Sequence, residues 1–348
     1  MSLTVLRAGL DTVEVSFGGS FSDSIIKRLD DAKSRAIETD APCPVDVGVC
    51  ELMMQPTAFG KWSWRLVAPE FHLVGRRRTA RGAAIAQVKL FSFGLASDGP
   101  AMLWRYVRGL ASELGNLSPL AVSRADVCVD FQGWTPQPSE MVNVVTPVQL
   151  RSTHGTERQV QTFSFGKRTM LRVYNKTEEL KKSKKDWLVE LWRQCDAYTH
   201  GEEVWRVEFQ AASEVLKELG IRSMEQLIDK QPALLEYGLR WAQLRVPTGD
   251  STKKRWPEDP RWTLLREAVF DGVPLQRVVT PAELMSLDAA KRRLIGLAAL
   301  AGAYYGTDDY LDALQRLSFA AEVHMMSEGT DFPSLVQEKR NRAVSGEY

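Results

Sequence analysis

The chain has 348 residues, enough to bury one large core or two ordinary ones, and its 44% hydrophobic and 26% charged composition excludes a disordered or fibrous protein. A formal net charge of +1 excludes any argument for a nucleic-acid partner from total charge, so such an argument must rest on where the basic residues lie. Four cysteines, at 43, 50, 128 and 195, lack C-x-x-C spacing and the density of a disulfide scaffold, which suits a reducing cytoplasm.

In chain order, the opening MSLTVLRAGLDTVEVSF lacks the basic segment, apolar run and cleavage site of a signal peptide. Strands are predicted for DTVEVSF (11–17), VDVGVCELM (45–53), KWSWRLVA (61–68) and AIAQVKLFSFG (84–94), with a helix over Ser22 to Ala36 between the first two. Arg76, Arg77, Arg78 and Arg81 fall between strands, as a loop that grasps duplex phosphate would. A cap and turn at Ser97-Asp98-Gly99 open a helix over Pro100 to Leu114. Four further strands are SRADVCVDF (123–131), VQTFSFG (160–166), MLRVYNK (170–176) and VWRVEFQ (204–210). Between the last two lie Lys181, Lys182, Lys184 and Lys185, and a helix over Trp187 to Tyr198 whose Leu188, Leu191, Trp192 and Cys195 form a buried stripe.

Beyond residue 212 the pattern turns helical. Capping boxes at Ser223/Gln226 and Thr280/Glu283, and the Asp259-Pro260 cap, open helices there, and another helix starts near Thr307. Lys253, Lys254 and Arg255 sit in a Pro/Gly-rich loop, a third basic cluster for DNA backbone. The most apolar run, Leu294 to Tyr305, is shorter than the ~20 residues that span a bilayer. The expected class is α+β: a mainly antiparallel catalytic sheet flanked by helices over 1–212, a helical region over 213–325 and a mobile tail over 326–348.

Side chains two apart on a strand share a face. In SRADVCVDF this groups Arg124, Asp126, Cys128 and Asp130 against apolar Ala125, Val127, Val129 and Phe131. In MLRVYNK it groups Arg172, Tyr174 and Lys176 against Leu171 and Val173, and in VWRVEFQ it groups Arg206, Glu208 and Gln210 against Val207 and Phe209. Each row taken singly reads as the solvent side of a strand. If the three strands are neighbours, however, the acids and bases converge.

Clustered carboxylates repel unless a cation sits among them. Asp126, Asp130 and Glu208 are the candidate oxygen ligands, and a hard-oxygen set suits Mg²⁺ or Mn²⁺. A tyrosine beside such an ion is placed for attack on phosphorus. Its hydroxyl, with a pKa of about 10, needs positive charge to favour the phenolate, and Arg172 and Lys176 are the candidates to supply it. The product is a phosphotyrosine link to a DNA 5′ end.

SRADVCVDF, FSFGKRTMLRVYNKTEE and VWRVEFQ together resemble, in order and spacing, the motif set of the replication initiation factor (Rep_trans) family, over roughly residues 10 to 212. The later YGLRWAQLRVP and KKRWPEDPRW resemble its phage-type members more weakly. The resemblance implies a rolling-circle initiator in which Tyr174 nicks origin DNA, Arg172 and Lys176 assist, and Asp126, Asp130 and Glu208 bind metal. Whether both aspartates touch the metal, or one pairs with Arg124, stays open. No His-hydrophobe-His pair is present; the histidines at 72, 154, 200 and 324 are scattered, so carboxylates must replace the histidine site of wider nicking enzymes.

Expected partners are origin DNA, duplex and single-stranded, and no membrane. For the helical region, helicase docking, homodimerisation and buttressing of the sheet all stay open. The rival readings are a relaxase with the same chemistry, a DNA-binding regulator on a non-catalytic scaffold, and a metal-dependent nuclease that uses water.

Overall fold

The structure, a computed structural model, describes residues 3–47, 50–80, 82–156, 159–183, 186–270, 275 and 287–337. Its elements begin with β1 (Thr4–Phe21), α1 (Asp23–Thr39), β2 (Cys43–Val47), β3 (Cys50–Met54), β4 (Trp64–Val67), β5 (Phe71–Gly75) and β6 (Ala86–Leu90). There follow α2 (Ser92–Ser97), α3 (Pro100–Leu114), β7 (Gly115–Gln132), α4 (Pro138–Met141), β8 (Val144–Val145), β9 (Arg151–Thr156), β10 (Gln159–Gly166) and β11 (Met170–Asn175). Next come α5 (Lys176–Ser183), α6 (Trp187–Trp192), β12 (Trp205–Ala212), α7 (Ser213–Glu218), α8 (Met224–Trp241) and β13 (Gln243–Leu244). The chain continues through α9 (Pro260–Val269), α10 (Leu287–Tyr305) and α11 (Tyr310–Ser327).

Eleven strands make one antiparallel sheet in the order β2-β3-β4-β5-β6-β1-β7-β12-β11-β10-β9, with helices packed against it, so the fold is α+β. Its spine is the pairing of β1 with β7, each 18 residues long, well beyond the usual 3–10. Strands of that length do not stay regular. The register slips between Val5 and Arg7, Leu10 and Thr12, Glu14 and Val15, and Ser16 and Phe17, and each slip bends the strand and re-aims a side chain.

The apolar face of the sheet is the core. Val13 and Val15 of β1, Val127 and Val129 of β7, Leu171 and Val173 of β11, and Val207 and Phe209 of β12 are all at most 1% exposed, as alternation requires. Helix α1 buries Ile25, Leu29, Ala32 and Ala36, one stripe at helical spacing, and starts where the Ser22 hydroxyl accepts the Ile25 N–H. Helix α8 opens with the expected Ser223/Gln226 capping box. It lies so close to the sheet that a Cβ on Gly238 would stand 2.4 Å from the Phe209 ring, which only glycine allows.

Several boundaries differ from expectation. The 45–53 run is a hairpin, and 84–94 ends as a strand at Leu90, where α2 takes over. Strands β5 and β9 and helix α5 were not expected, and the helix at Trp187 stops at Trp192. In MLRVYNK the strand ends at Asn175, whose side chain accepts the Glu178 N–H and starts α5 at Lys176. The expected Thr280 cap lies outside the described residues. So do residues 338–348 of the expected tail; of the rest, α11 runs to Ser327 and residues 332–337 are helical.

The chain divides into compact units at 1–275 and 276–348. The first compact unit thus runs past the expected boundary at residue 212. The reason is packing: Leu227, Leu234, Leu235 and Leu239 of α8 belong to the same apolar core as the sheet. The second unit contains α10 packed on α11. No described helix is long and apolar enough to cross a membrane.

Candidate active site

The three motif strands are adjacent, in the order β7-β12-β11, and their register decides what meets. Arg172 faces Glu208 and Tyr174 faces Arg206 across β11 and β12; Arg206 faces Asp130, Glu208 faces Cys128 and Gln210 faces Asp126 across β12 and β7. Paired residues in an antiparallel ladder project to the same side, so the polar rows of all three strands meet on one face.

At the centre, the Tyr174 hydroxyl donates to Glu208 Oε2 at 2.7 Å, and Arg172 forms an ion pair with Glu208 Oε1. Burial, and next the negative charge of Glu208, push the Tyr174 phenol well above its ordinary pKa. The proton is therefore held on the phenol and aimed at a carboxylate. This differs from the expected arrangement, in which cations stabilise a standing phenolate. Arg172 is about one-third exposed at its side chain, and its Nε is buried without a partner.

Asp126 is 1% exposed and accepts from Arg124 Nε at 2.8 Å. Burial lifts its carboxyl to a pKa of about 6; Arg124 opposes that rise and the charge of Glu208 adds to it. Of the two aspartates, then, it is Asp126 that pairs with Arg124.

Asp130 is diverted elsewhere. Its carboxylate accepts from Arg206 Nε at 2.5 Å and Nη2 at 2.8 Å, and from Trp192 Nε1 at 2.9 Å. Burial alone would raise this carboxyl, but Arg206 and Trp192 outweigh it and hold it below the usual carboxylate range. Arg206 is itself 0% exposed and also donates to Asp11 at 2.5 Å. Asp11 is the extra residue of the bulge between Leu10 and Thr12. No motif around DTVEVSF marks it, because only the bulge turns it toward β12. Among the described residues no three His, Cys, Asp or Glu side chains stand together as a metal cluster. Of the expected trio of Asp126, Asp130 and Glu208, it is Asp130 whose carboxylate is bonded to a buried arginine.

Lys176 is off the strand, 2% exposed, paired with Glu179 at 2.6 Å and with its Nζ 5.5 Å from the centroid of the Tyr174 ring. It lies over the ring of the tyrosine. Burial, then Arg206, lower its pKa.

The basic clusters are only partly free. Arg76 donates to the Ala84 carbonyl and stacks 5.5 Å from the Trp62 centroid, Arg77 pairs with Asp30 at 2.7 Å, and Arg78 is exposed. Lys181 pairs with Glu178, and Lys182 is exposed with a 3.5 Å bond to Gln161. Lys253 donates to the Val142 carbonyl, Lys254 is exposed, and Arg255 lies 3.5 Å from Asp250. Arg81, Lys184 and Lys185 lie outside the described residues.

Of the histidines, His154, His200 and His324 are exposed, and His72 is half-buried on β5. Burial, then Arg65 and Lys89, push the His72 pKa down to about 4. Above pH 6.5 His72 is neutral whether folded or unfolded. As pH falls from 6.5 toward 4 the unfolded chain gains a proton that the folded chain refuses, so stability drops across that window. Thermal melts between pH 7 and pH 4 are expected to show His72→Gln losing less melting temperature than wild type; equal losses would show that His72 titrates normally.

No family model matches the chain, and no curated protein sequence does. Among solved structures, the chain is similar to a rolling circle replication initiator protein from Geobacillus stearothermophilus, over 77% of this chain and 97% of that one, at 14% identity and a TM-score of 0.47.

Proposed function

We propose that this chain is a metal-dependent DNA-nicking and strand-transfer enzyme that initiates rolling-circle replication through Tyr174. The observation that carries the reading is the 2.7 Å hydrogen bond from the Tyr174 hydroxyl to Glu208, beside Arg172 and on the same face as Asp126. A nucleophile within hydrogen-bond reach of a base, with a cation next to both, is the arrangement phosphoryl transfer requires.

Tyr174 oxygen attacks phosphorus of the scissile phosphodiester while Glu208 takes the phenolic proton. The bond from phosphorus to the 3′ oxygen breaks, that oxygen leaves as a primer hydroxyl once protonated, and the 5′ phosphate stays on Tyr174. One phosphodiester is exchanged for another, so resealing needs no nucleotide cofactor. Arg172, with its unpartnered Nε, holds the phosphate oxygens as charge builds on them. Lys176 is a positioning residue that packs against the Tyr174 ring.

Asp126 and Glu208 fit a divalent cation. Each of their four oxygens accepts one hydrogen bond, from Arg124, Arg172 or Tyr174, which leaves a second lone pair on each. Mg²⁺ is commonly bound by one or two carboxylates together with substrate phosphate. When bound, Mg²⁺ or Mn²⁺ supplies Lewis-acid polarisation of the scissile phosphate.

The test is incubation of wild type and Tyr174→Phe with labelled supercoiled DNA carrying the protein's own gene and flanks, with Mn²⁺ or Mg²⁺, on a denaturing protein gel. A labelled adduct from wild type alone is expected. Nicking without adduct in both proteins would mean a water nucleophile, and binding without nicking by wild type would mean a regulator; either overturns the reading.

A further inference from the structure

Outside the catalytic cluster, cations and aromatic rings concentrate around β4, β5 and the loops at their ends. Arg65 lies 4.4 Å from the centroid of Phe59, which is 49% exposed; Phe59 in turn contacts His72 at 5.9 Å, and His72 contacts Phe91 edge-on at 5.4 Å. Beside them Trp62 is flanked by Lys61 at 5.4 Å and Arg76 at 5.5 Å. Arg65 Nε and Arg76 Nε are both buried with no hydrogen-bond partner, an arrangement that a folded protein rarely leaves unexplained.

This group lies on the same side of the sheet as Tyr174. Register carries that side from strand to strand: His72 faces Lys89, Lys89 faces Glu14, and Glu14 faces Arg124, which shares the strand face of Asp126. The polar floor between them is continuous, with Lys89 3.6 Å from Glu14, Arg124 3.8 Å from Glu14, and Arg124 bonded to Asp126 at 2.8 Å. From β5 to β11 is five strand spacings, roughly 24 Å at ~4.8 Å each. The opposite side of the same strands is apolar core, with Leu66, Leu73 and Val88 at 2% exposure or less.

We infer that the surface formed by Phe59, Trp62, Arg65, His72 and Arg76 binds single-stranded DNA, stacking unpaired bases on Phe59 and Trp62 and holding phosphate with Arg65 and Arg76. An exposed ring beside a guanidinium with unused donors suits a nucleotide, which brings a π face and an anion together, whereas duplex DNA hides its base faces. The inference rests on the proposed nicking function for its meaning: a strand held here, on the floor that leads to Tyr174, is one that an origin-opening enzyme has unpaired. Arg76 then serves the single strand, in place of the duplex contact its loop position first suggests.

The test is fluorescence anisotropy with a labelled single-stranded oligonucleotide of origin sequence and its duplex, using wild type, Phe59→Ala, Phe59→Tyr, Arg65→Gln and, as a control, Phe319→Ala. Phe319 is an exposed aromatic of α11, 69% exposed. Loss of one stacked base is expected to weaken single-strand binding by about five-fold to a hundred-fold in Phe59→Ala. Phe59→Tyr and Phe319→Ala are expected to stay near wild type, and Arg65→Gln to flatten the salt dependence. Single-strand affinity of Phe59→Ala within two-fold of wild type, or an equal loss for duplex, overturns the inference. Adduct formation by the same variants at saturating DNA keeps the two readings apart. Wild type without adduct sinks the nicking function, whereas wild-type adduct with unchanged Phe59→Ala affinity sinks only the stacking surface.

Discussion

Replacing Glu208 with glutamine is expected to slow formation of the Tyr174-DNA adduct by about 10²- to 10⁴-fold, the range a positioned general base contributes. The substitution keeps the shape of the side chain and an oxygen for Arg172, but removes the charge that draws the phenolic proton across 2.7 Å. Because burial and Glu208 hold that phenol above its ordinary pKa, the fraction ionised without a base at neutral pH is negligible. The loss should therefore appear in the rate at saturating DNA and leave DNA affinity largely intact. Arg172, left without a charged partner, is partly exposed and can reach water, so folding should survive, as circular dichroism would check. A single-turnover rate within about three-fold of wild type would remove Glu208 as base.

Arg206→Met is expected to destabilise the fold by about 3–5 kcal/mol, because it strands a carboxylate in a site with no access to water. Asp130 is 0% exposed, and Arg206 supplies two of its three hydrogen bonds, the third coming from Trp192. Asp11 loses its hydrogen bond from Arg206 in the same step. For a unit of this size the change corresponds to a fall in melting temperature of about 6–20 °C. The double variant Arg206→Met/Asp130→Leu should recover much of that loss, since replacing both members of a buried pair by apolar groups is often neutral. If Asp130 were instead a metal ligand with solvent access, the single variant would melt near wild type and Asp130→Leu alone would abolish adduct formation.

These two residues also mark where reading from alternation stops. Alternation placed Asp126, Arg172, Tyr174 and Glu208 on polar faces, and the sheet brings those faces together, because a two-residue period is intrinsic to an extended chain and each of these strands has an apolar side at most 1% exposed. The same rule grouped Asp130 with Asp126 but could not separate them. Their fates differ through what lies opposite: Arg206 across β12 and Trp192 from α6 claim Asp130, whereas Arg124, two residues along the same strand, claims Asp126. Lys176 left the polar row because Asn175 ends the strand and starts a helix.

The sequence by itself determined the class of fold, the core face of each motif strand and the helix starts at Ser22, Ser223 and Asp259, because all of these follow from local periodicity and from side chains that bond their own backbone. Only the tertiary structure decided the order of the eleven strands, the bulge that turns Asp11 toward Arg206, the docking of α8 through Gly238, and which carboxylate meets which arginine. Those depend on pairings between residues up to nearly two hundred positions apart, as with Asp11 and Arg206, and no local pattern encodes a partner at that distance.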